Sequence, residues 1–318
     1  MSSGAAVQVR GRLNPAEVAE VTDLVDAATA ADGVRPLSEH VSLHLRYGGD
    51  LPARNLLLRE PDGTLAGYAH LDVTDPVEGG SAELVVHPAR RGRGHGRALV
   101  AAALAQSPPR GLRLWAHGEH PAAARLAATM GFWRSRSLWQ MRRSLFAPLP
   151  APRWPEGVTL RTFRPGGDDE AWVALNARSF ADHPEQGGWS VADLRRRLGE
   201  PWFDPAGFFL AERAGRLVGF HWTKVHGSPA TNGGHGHEPI GEVYVVGVLP
   251  EEQGHGLGRA LTLAGLAHLR QQGLPAAMLY VDADNVPAIR LYADLGFTHW
   301  DTDTMFRSGP PPAPGRAG

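Results

Sequence analysis

Short apolar runs bounded by turn residues alternate along this chain with longer Ala- and Leu-rich stretches, and they do so twice in the same order. The short runs predict strands and the long ones helices. In the first half a helix is expected over 15–31, with Asn14 as N-cap and Pro15 at the first helical position. Strands follow over 55–59 and 65–73 around the turn Pro61-Asp62-Gly63, and another over 81–86. Then come a loop and helix over 92–106, a strand over 111–116, a helix over 121–130 and a last strand over 138–145. The second half repeats the series from 159, with strands over 208–211 and 217–225 around Ala214-Gly215 and a strand over 241–248. A helix over 258–272, a strand over 276–281 and a helix over 287–295 complete it. The pattern predicts a first domain over 1–145, a Pro-rich, semi-rigid linker over 146–157, a second domain over 158–307 and a disordered tail over 308–318. Each domain is expected to be an α/β (α+β) fold built on a mixed sheet.

The repeat is sharpest at one place. Arg91-Gly92-Arg93-Gly94-His95-Gly96 is answered by Gln253-Gly254-His255-Gly256-Leu257-Gly258, and Arg-Ala-Leu follows both, as 97–99 and 259–261. The lead-ins Leu84-Val85-Val86-His87-Pro88 and Val246-Gly247-Val248-Leu249-Pro250 also correspond. A strand, a glycine loop and a helix start bring backbone N–H groups and the positive end of a helix onto an anion. The chemistry is that of a pyrophosphate cradle, present twice. Dinucleotide folds use similar glycines, but they want the loop near the domain start and an acidic residue about 20 residues on; here the loops lie deep inside each half.

Composition narrows the classes. Lys and Arg number 32 against 33 Asp and Glu, so the formal net charge of −1 offers nothing to nucleic acid. The Arg195–Arg197 cluster reads as a solvated helix face. With no cysteine there is no disulfide framework, thiolate metal site or cysteine nucleophile. No apolar run approaches membrane-spanning length, so a soluble, cytoplasmic chain with no membrane partner is expected, and a monomer. His226, His235 and His237 lie among glycines over 226–239 without a carboxylate framework; no metal is expected there, and the segment reads as a lid beside a cleft.

Each half also closes with a helix ending in Gly-Phe: Arg125-Leu126-Ala127-Ala128-Thr129-Met130-Gly131-Phe132 and Arg290-Leu291-Tyr292-Ala293-Asp294-Leu295-Gly296-Phe297. Together with the glycine loops, these phrases resemble the GNAT family of N-acetyltransferases, in tandem. The resemblance implies acetyl-CoA as cosubstrate. In the second half it would meet Val246, Gly247, Val248, Gln253, Gly254, His255, Gly256, Leu257, Gly258 and Arg259, and the helix start Asn285, Val286, Pro287, Ala288, Ile289 and Arg290. In the first half the counterparts are Val85, Val86, His87, Arg93, Gly94, His95, Gly96, Arg97 and Ala98. Exposed strand groups at Val246, Val248 and Val86 would pair with pantetheine amides.

Aligning the glycine loops sets Gly80 opposite Glu242, and aligning the Gly-Phe helices sets Ala127 opposite Tyr292. Acyl transfer to an amine needs a base for the amine proton and is helped by an acid at the departing thiolate. Glu242 is the expected base, through water, and Tyr292 the expected acid; the first half lacks both. Glu242 as a solvated strand-end carboxylate and Tyr292 as a core tyrosine stay open as alternatives.

Further phrases in the second half are similar to the mycothiol-forming branch of that family, among them the residues 183–187, 220–224, 241–248 and 279–285. That branch acetylates the cysteinyl amine of a cysteinyl-glucosaminyl-inositol. The resemblance implies that Glu39, Glu185, Lys224, Glu242 and Tyr280 contact this substrate, with Glu39 reaching from the first half. Other small-amine, antibiotic or peptide N-acetyltransferases remain alternatives, as does a non-catalytic acetyl-CoA sensor.

Overall fold

A computed structural model describes residues 5–48, 53–74, 79–108, 111–181, 183–226 and 239–310. The first elements in chain order are β1 (Ala6–Arg10), α1 (Pro15–Asp32), α2 (Glu39–Tyr47), β2 (Arg54–Arg59), β3 (Leu65–Asp72) and β4 (Gly80–Val86). Next come α3 (His95–Gln106), β5 (Leu112–Ala116), α4 (Pro121–Thr129), β6 (Phe132–Ser144), β7 (Val158–Thr162), α5 (Asp169–Ser179), α6 (Pro184–Gly187) and α7 (Val191–Leu198). The chain closes with β8 (Phe208–Arg213), β9 (Arg216–His226), β10 (Ile240–Val248), α8 (Leu257–Gln271), β11 (Ala276–Asp282), α9 (Val286–Asp294) and β12 (Thr298–Ser308). Among these residues no helix is long and apolar enough to cross a membrane.

Two compact units result: residues 1–138, 282–284 and 301–318 form the first, and 139–281 with 285–300 the second. In the first, the strand order is β1-β2-β3-β4-β5 followed by the 301–308 part of β12 and the 132–138 part of β6. All neighbours from β1 to β4 are antiparallel, β4 and β5 are parallel, and β12 runs antiparallel to β5 with Thr304 opposite Ala116. In the second, the 139–144 part of β6 lies beside β11, followed by β10, β9, β8 and β7. The expected mixed sheet is therefore present, with β12 beside β5 and β6 beside β11. β6 also begins at Phe132, directly after Gly131, earlier than the run over 138–145 predicts.

Local sequence explains the helices. Asn14 accepts from Glu17 N at 2.9 Å while the Glu17 carboxylate accepts from Asn14 N, a reciprocal cap on α1 with Pro15 in its first turn. Ser38 caps α2, which the hydrophobic pattern does not announce because the helix is short and rich in His. The first unit packs one core against α3 and α4, with Leu99, Val100 and Ala103 fully buried, and another against α1 and α2, around Leu57 and Tyr68. The second unit stacks Phe208 on Trp222 at 4.4 Å, with Trp172 edge-on to both, on one face of its sheet. Leu263, Leu266 and Leu269 of α8 cover the other face.

One buried polar cluster belongs to the first unit. His117, just past β5, donates from Nδ1 to Asp303 of β12 at 2.8 Å, and its Nε2 lies 3.4 Å from Glu83 of β4. Glu83 also accepts from Ser38 N at 2.6 Å, and Asp303 from Gly118 N at 2.9 Å. Burial pushes the imidazole down, but the two carboxylates together outweigh it and raise it to about 10. Its contribution to stability is therefore full below the ordinary value near 6.5 and is lost as pH rises through about 10. Replacing His117 with Gln leaves two buried carboxylates without their cation, a change of about 3–5 kcal/mol in comparable pairs. Denaturant unfolding across pH should give the largest difference between parent and variant near neutrality, shrinking toward pH ~10. A difference that is the same at every pH would contradict this account of the cluster.

Candidate active site

The second unit builds an anion cradle from backbone. Gly256 takes φ +84° as the N-cap of α8, a left-handed conformation open to glycine, and no side chain caps the helix. The first-turn N–H groups thus point outward at the positive end of the helix. At Gly258 a Cβ would meet nothing closer than Val248 Cγ2 at 3.8 Å, so the space over the helix start is open. Gln253 is held at the loop by its Nε2 donating to Val248 O, while His255 and Arg259 make no ion pair among the described residues. Asn285 caps α9 by accepting from Ala288 N, so Val286, Pro287, Ala288, Ile289 and Arg290 form that helix's first turns.

Next to the cradle two parallel strands part. β10 and β11 pair only at Gly241 with Ala277 and Glu242 with Met278, whereas β10 stays paired with β9 along its whole length. The register with β9 shifts between Val243 and Val245, so Tyr244 is an extra, bulged residue. A bulge bends and twists its strand, and here it does so at the point of parting. Val243–Val248 therefore present one edge to β9 and leave the other open beside the glycine loop.

Glu242 sits at the apex of this opening, buried to 6% exposure. Lys224 is its cross-strand partner on β9, and His226, two residues on and on the same face, places Nε2 at 2.5 Å from Oε2. Burial drives the carboxyl up, but the charge and hydrogen bond of His226 and the charge of Lys224 together hold it below its usual range. Lys224 is itself buried, with Nζ 4.5 Å over the Trp202 ring and 5.0 Å over Tyr244. Arg197 lies 3.7 Å over Trp189 and donates from Nε to Tyr244 Oη at 2.9 Å. Here the reading of Arg195–Arg197 as a solvated face fails for Arg197, which is 6% exposed because α7 turns that side toward β10. The sequence pattern puts His226 in the loop over 226–239, whereas it ends β9. The alternation Trp222, Lys224, His226 along one strand was the signal that it shares a face with the candidate base.

Tyr292 on α9 is half-buried, its ring edge-on to Phe297 at 5.9 Å, and its hydroxyl has no partner among the described residues. Burial pushes the phenol up to about 12. Tyr280 on β11 is 39% exposed and accepts from Gln140 Nε2 at 2.8 Å. Glu39 belongs to the first unit as the first residue of α2. The Glu185 side chain lies outside the described residues, as do His235, His237 and the rest of 227–238 within the lid expected over 226–239. Among the described residues no cluster of His, Cys, Asp or Glu could hold a metal ion.

The first unit differs at each of these points. Gly94 repeats the left-handed cap at φ +86°, but Glu60 pairs with Arg90 and lies 3.2 Å from both Arg93 and His95 of the loop. In the second unit the pair at this place is reversed in sign, Arg213 with Glu252, and leaves the loop alone. Val85 and Val86 lie on β4, His87 Nδ1 accepts from Ala89 N, and Arg97 and Ala98 begin α3, where Arg97 donates to Thr129. β4 and β5 remain paired through Glu83 and Trp115, two residues beyond the level at which β10 leaves β11. The bulge also corrects the alignment, since the extra residue at Tyr244 sets Ser81 rather than Gly80 opposite Glu242. The first unit does bury a carboxylate on that face, Glu83, but Ser38 and His117 already occupy it.

Comparison with known proteins agrees with this architecture. The family model described as the acetyltransferase (GNAT) family matches residues 23–132 and 172–297. A mycothiol acetyltransferase of Acidothermus cellulolyticus is 64% identical over 310 residues, spanning 95% of this chain and 94% of the relative. The crystal structure of a GCN5-related N-acetyltransferase from Sphaerobacter thermophilus aligns over 95% of each chain, with a TM-score of 0.66 and 28% identity. A tandem GNAT protein from the clavulanic acid biosynthesis pathway aligns over 96% of this chain and 100% of its own at a TM-score of 0.68; at 24% identity it speaks to the fold alone.

The cradle generates a test with little internal strain. Gly258→Ala adds a methyl group that touches only Val248 inside the protein, so any loss of acetyl-CoA affinity reports a clash with the ligand. Losing one charge-assisted contact costs about 1.5–3 kcal/mol, or ~10–100-fold in Kd, measurable by calorimetry. Gly96→Ala in the first unit should leave turnover largely intact. Loss of turnover in that variant, with the protein folded, would transfer the reaction to the other cradle.

Proposed function

The chain belongs to the GNAT family of acetyltransferases, and on that premise we propose that it forms mycothiol, moving acetyl from acetyl-CoA to the cysteinyl amine of a cysteinyl-glucosaminyl-inositol. That the chain is an acetyl-CoA-dependent N-acetyltransferase follows from its family. The choice of acceptor is supported by relatives named mycothiol acetyltransferase at 54–64% identity over about 95% of the chain. The observation that carries the chemistry is Glu242, a buried carboxylate at the apex of the parted strands, beside a caged Lys224.

Acetyl-CoA supplies the activated acyl group, and the chain's residues do the rest. Backbone N–H groups at Gly256–Gly258 hold the pyrophosphate, and the open edge of β10 pairs with the extended pantetheine arm. The acceptor amine must lose a proton as it attacks, and Glu242, held in its charged form, takes it directly or through one water. Lys224 and Tyr280 offer a donor and a hydroxyl to the sugar and inositol hydroxyls. Glu39 and Glu185 are assigned to this substrate on resemblance alone. Tyr292 stands at the helix expected beside the departing sulfur. A phenol at about 12 is a weaker acid than a thiol near 8.5, so full proton transfer is uphill and its main contribution is a hydrogen bond to the thiolate. Its effect is accordingly smaller than that of the base.

A panel of amines with acetyl-CoA tests the acceptor. Because the expected acceptor carries its own thiol, CoA and acetylated product are best quantified by chromatography. The cysteinyl-glucosaminyl-inositol should exceed simple amines in kcat/KM by ~10²-fold or more, the reach of a site that hydrogen-bonds its substrate. Similar rates across the panel would favour a broad amine or antibiotic acetyltransferase, and no CoA release with any amine would favour a sensor. Glu242→Gln should lower kcat by ~10²–10⁴-fold, and Tyr292→Phe by ~10–100-fold with Kd for acetyl-CoA barely moved. Parent-like rates in either variant remove that residue from the reaction.

A further inference from the structure

The partner of Glu242 is not a bystander of the fold. His226 is the last residue of β9, and Nε2 stands 2.5 Å from Glu242 Oε2; an ionised carboxylate can only accept, so this contact takes the ring tautomer with the proton on Nε2. The imidazole side chain is 36% exposed and the carboxylate 8%. Glu242 Oε1 has no hydrogen-bond partner among the described residues. The contrast with the first unit is direct. There Glu83 is bound on Oε2 by Ser38 N–H and approached on that same oxygen by His117, and β3, the counterpart of β9, ends at Asp72 opposite Ser81, short of the position that His226 takes on β9.

We propose that His226 is a positioning residue for the acetyl transfer: its Nε2–H pins Oε2 of Glu242, so that Oε1 alone meets the acceptor amine. The inference rests on Glu242 being the base. The surroundings are consistent with it. Among the described residues the titratable groups on this face are Lys224 and His226 from β9, Tyr244 from β10, tied to Arg197 of α7, and Tyr280 from β11, two residues on from the strand partner Met278; Tyr292 of α9 packs with the α8 leucines on the other face. Among the described residues Lys224 is the other cation that acts on the carboxylate, and it is shared with the rings of Trp202 and Tyr244. Burial opposes the charged form, so without His226 the carboxylate would be protonated at higher pH and free to rotate.

The test is kcat against pH at saturating acetyl-CoA and acceptor for the parent, His226→Ala, His226→Gln, Glu242→Gln and the double variant His226→Ala/Glu242→Gln. In His226→Ala the acidic limb should move up by about one pH unit, a ~10-fold loss below the limb that recovers as pH rises, with KM for acetyl-CoA unchanged. His226→Gln keeps a donor without the charge, so its plateau should exceed that of the Ala variant and its limb should fall between Ala and parent. In the Glu242→Gln background the His226→Ala change should move no limb. An unmoved limb, a uniform drop without a shift, or the same shift in the Glu242→Gln background overturns the proposal; the last result would mean that His226 acts on the amine itself. If His226→Ala fails to fold, the Gln variant carries the same comparison, and a parent-like limb in it is decisive against. A Glu242→Gln enzyme with the parent's rate and profile overturns the base assignment as well, which separates the two failures.

Discussion

Backbone hydrogen bonding is the constraint on which the second unit turns. A strand inside a sheet must satisfy polar groups on both edges, and leaving them buried and unpaired costs about as much as a lost hydrogen bond each. β10 satisfies one edge against β9 throughout, but gives up β11 directly after Glu242, where the bulged Tyr244 bends it away. The opened edge asks for an extended ligand, and the glycine loop at the end of the same strand offers an anion site in line with it. The position of the candidate base follows from the same break. Glu242 is the last residue of β10 to be paired on both sides, so it is held rigidly at the point where the opening begins.

The two units keep the same glycine-loop conformation and differ in the strands beside it. In the first, β4 carries no bulge, and its pairing with β5 runs two residues further. The carboxylate that this strand buries is engaged on Oε2 by α2 and by the imidazole at the end of β5, and Glu60 lies against Arg93 and His95 of the glycine loop. The loop conformation itself is kept, since the left-handed Gly94 is a local property of the backbone. Loop conformation and strand geometry are separable: one resides in a few glycines, the other in strand register and in what faces the strand.

That separation also explains what could be read from the amino-acid sequence. The glycine loops, the Asn14 cap and the paired strand-loop-helix units depend on neighbours in the chain and were legible, as was the mixed α/β sheet. The bulge was not, because one extra residue has no signature until the partner strand is known; ungapped alignment therefore set Gly80 opposite Glu242. The placement of 301–308 beside β5 is invisible for the same reason, being settled by pairing between distant segments. Arg197 looked like one of three solvated arginines, and only the packing of α7 buries it over Trp189. His226 borders a glycine-rich segment in the sequence, and its place beside Glu242 depends on strand register.

The central claim is that acetyl transfer takes place where β10 leaves β11. A crystal structure with acetyl-CoA and an unreactive analogue of the cysteinyl acceptor tests it most directly. The account predicts the thioester carbonyl between Val243–Val248 and the end of β11, with the acceptor nitrogen within hydrogen-bond reach of Glu242, directly or through one water. An acceptor bound away from Glu242, or a productive pair assembled beside Glu83 at the other glycine loop, would contradict it.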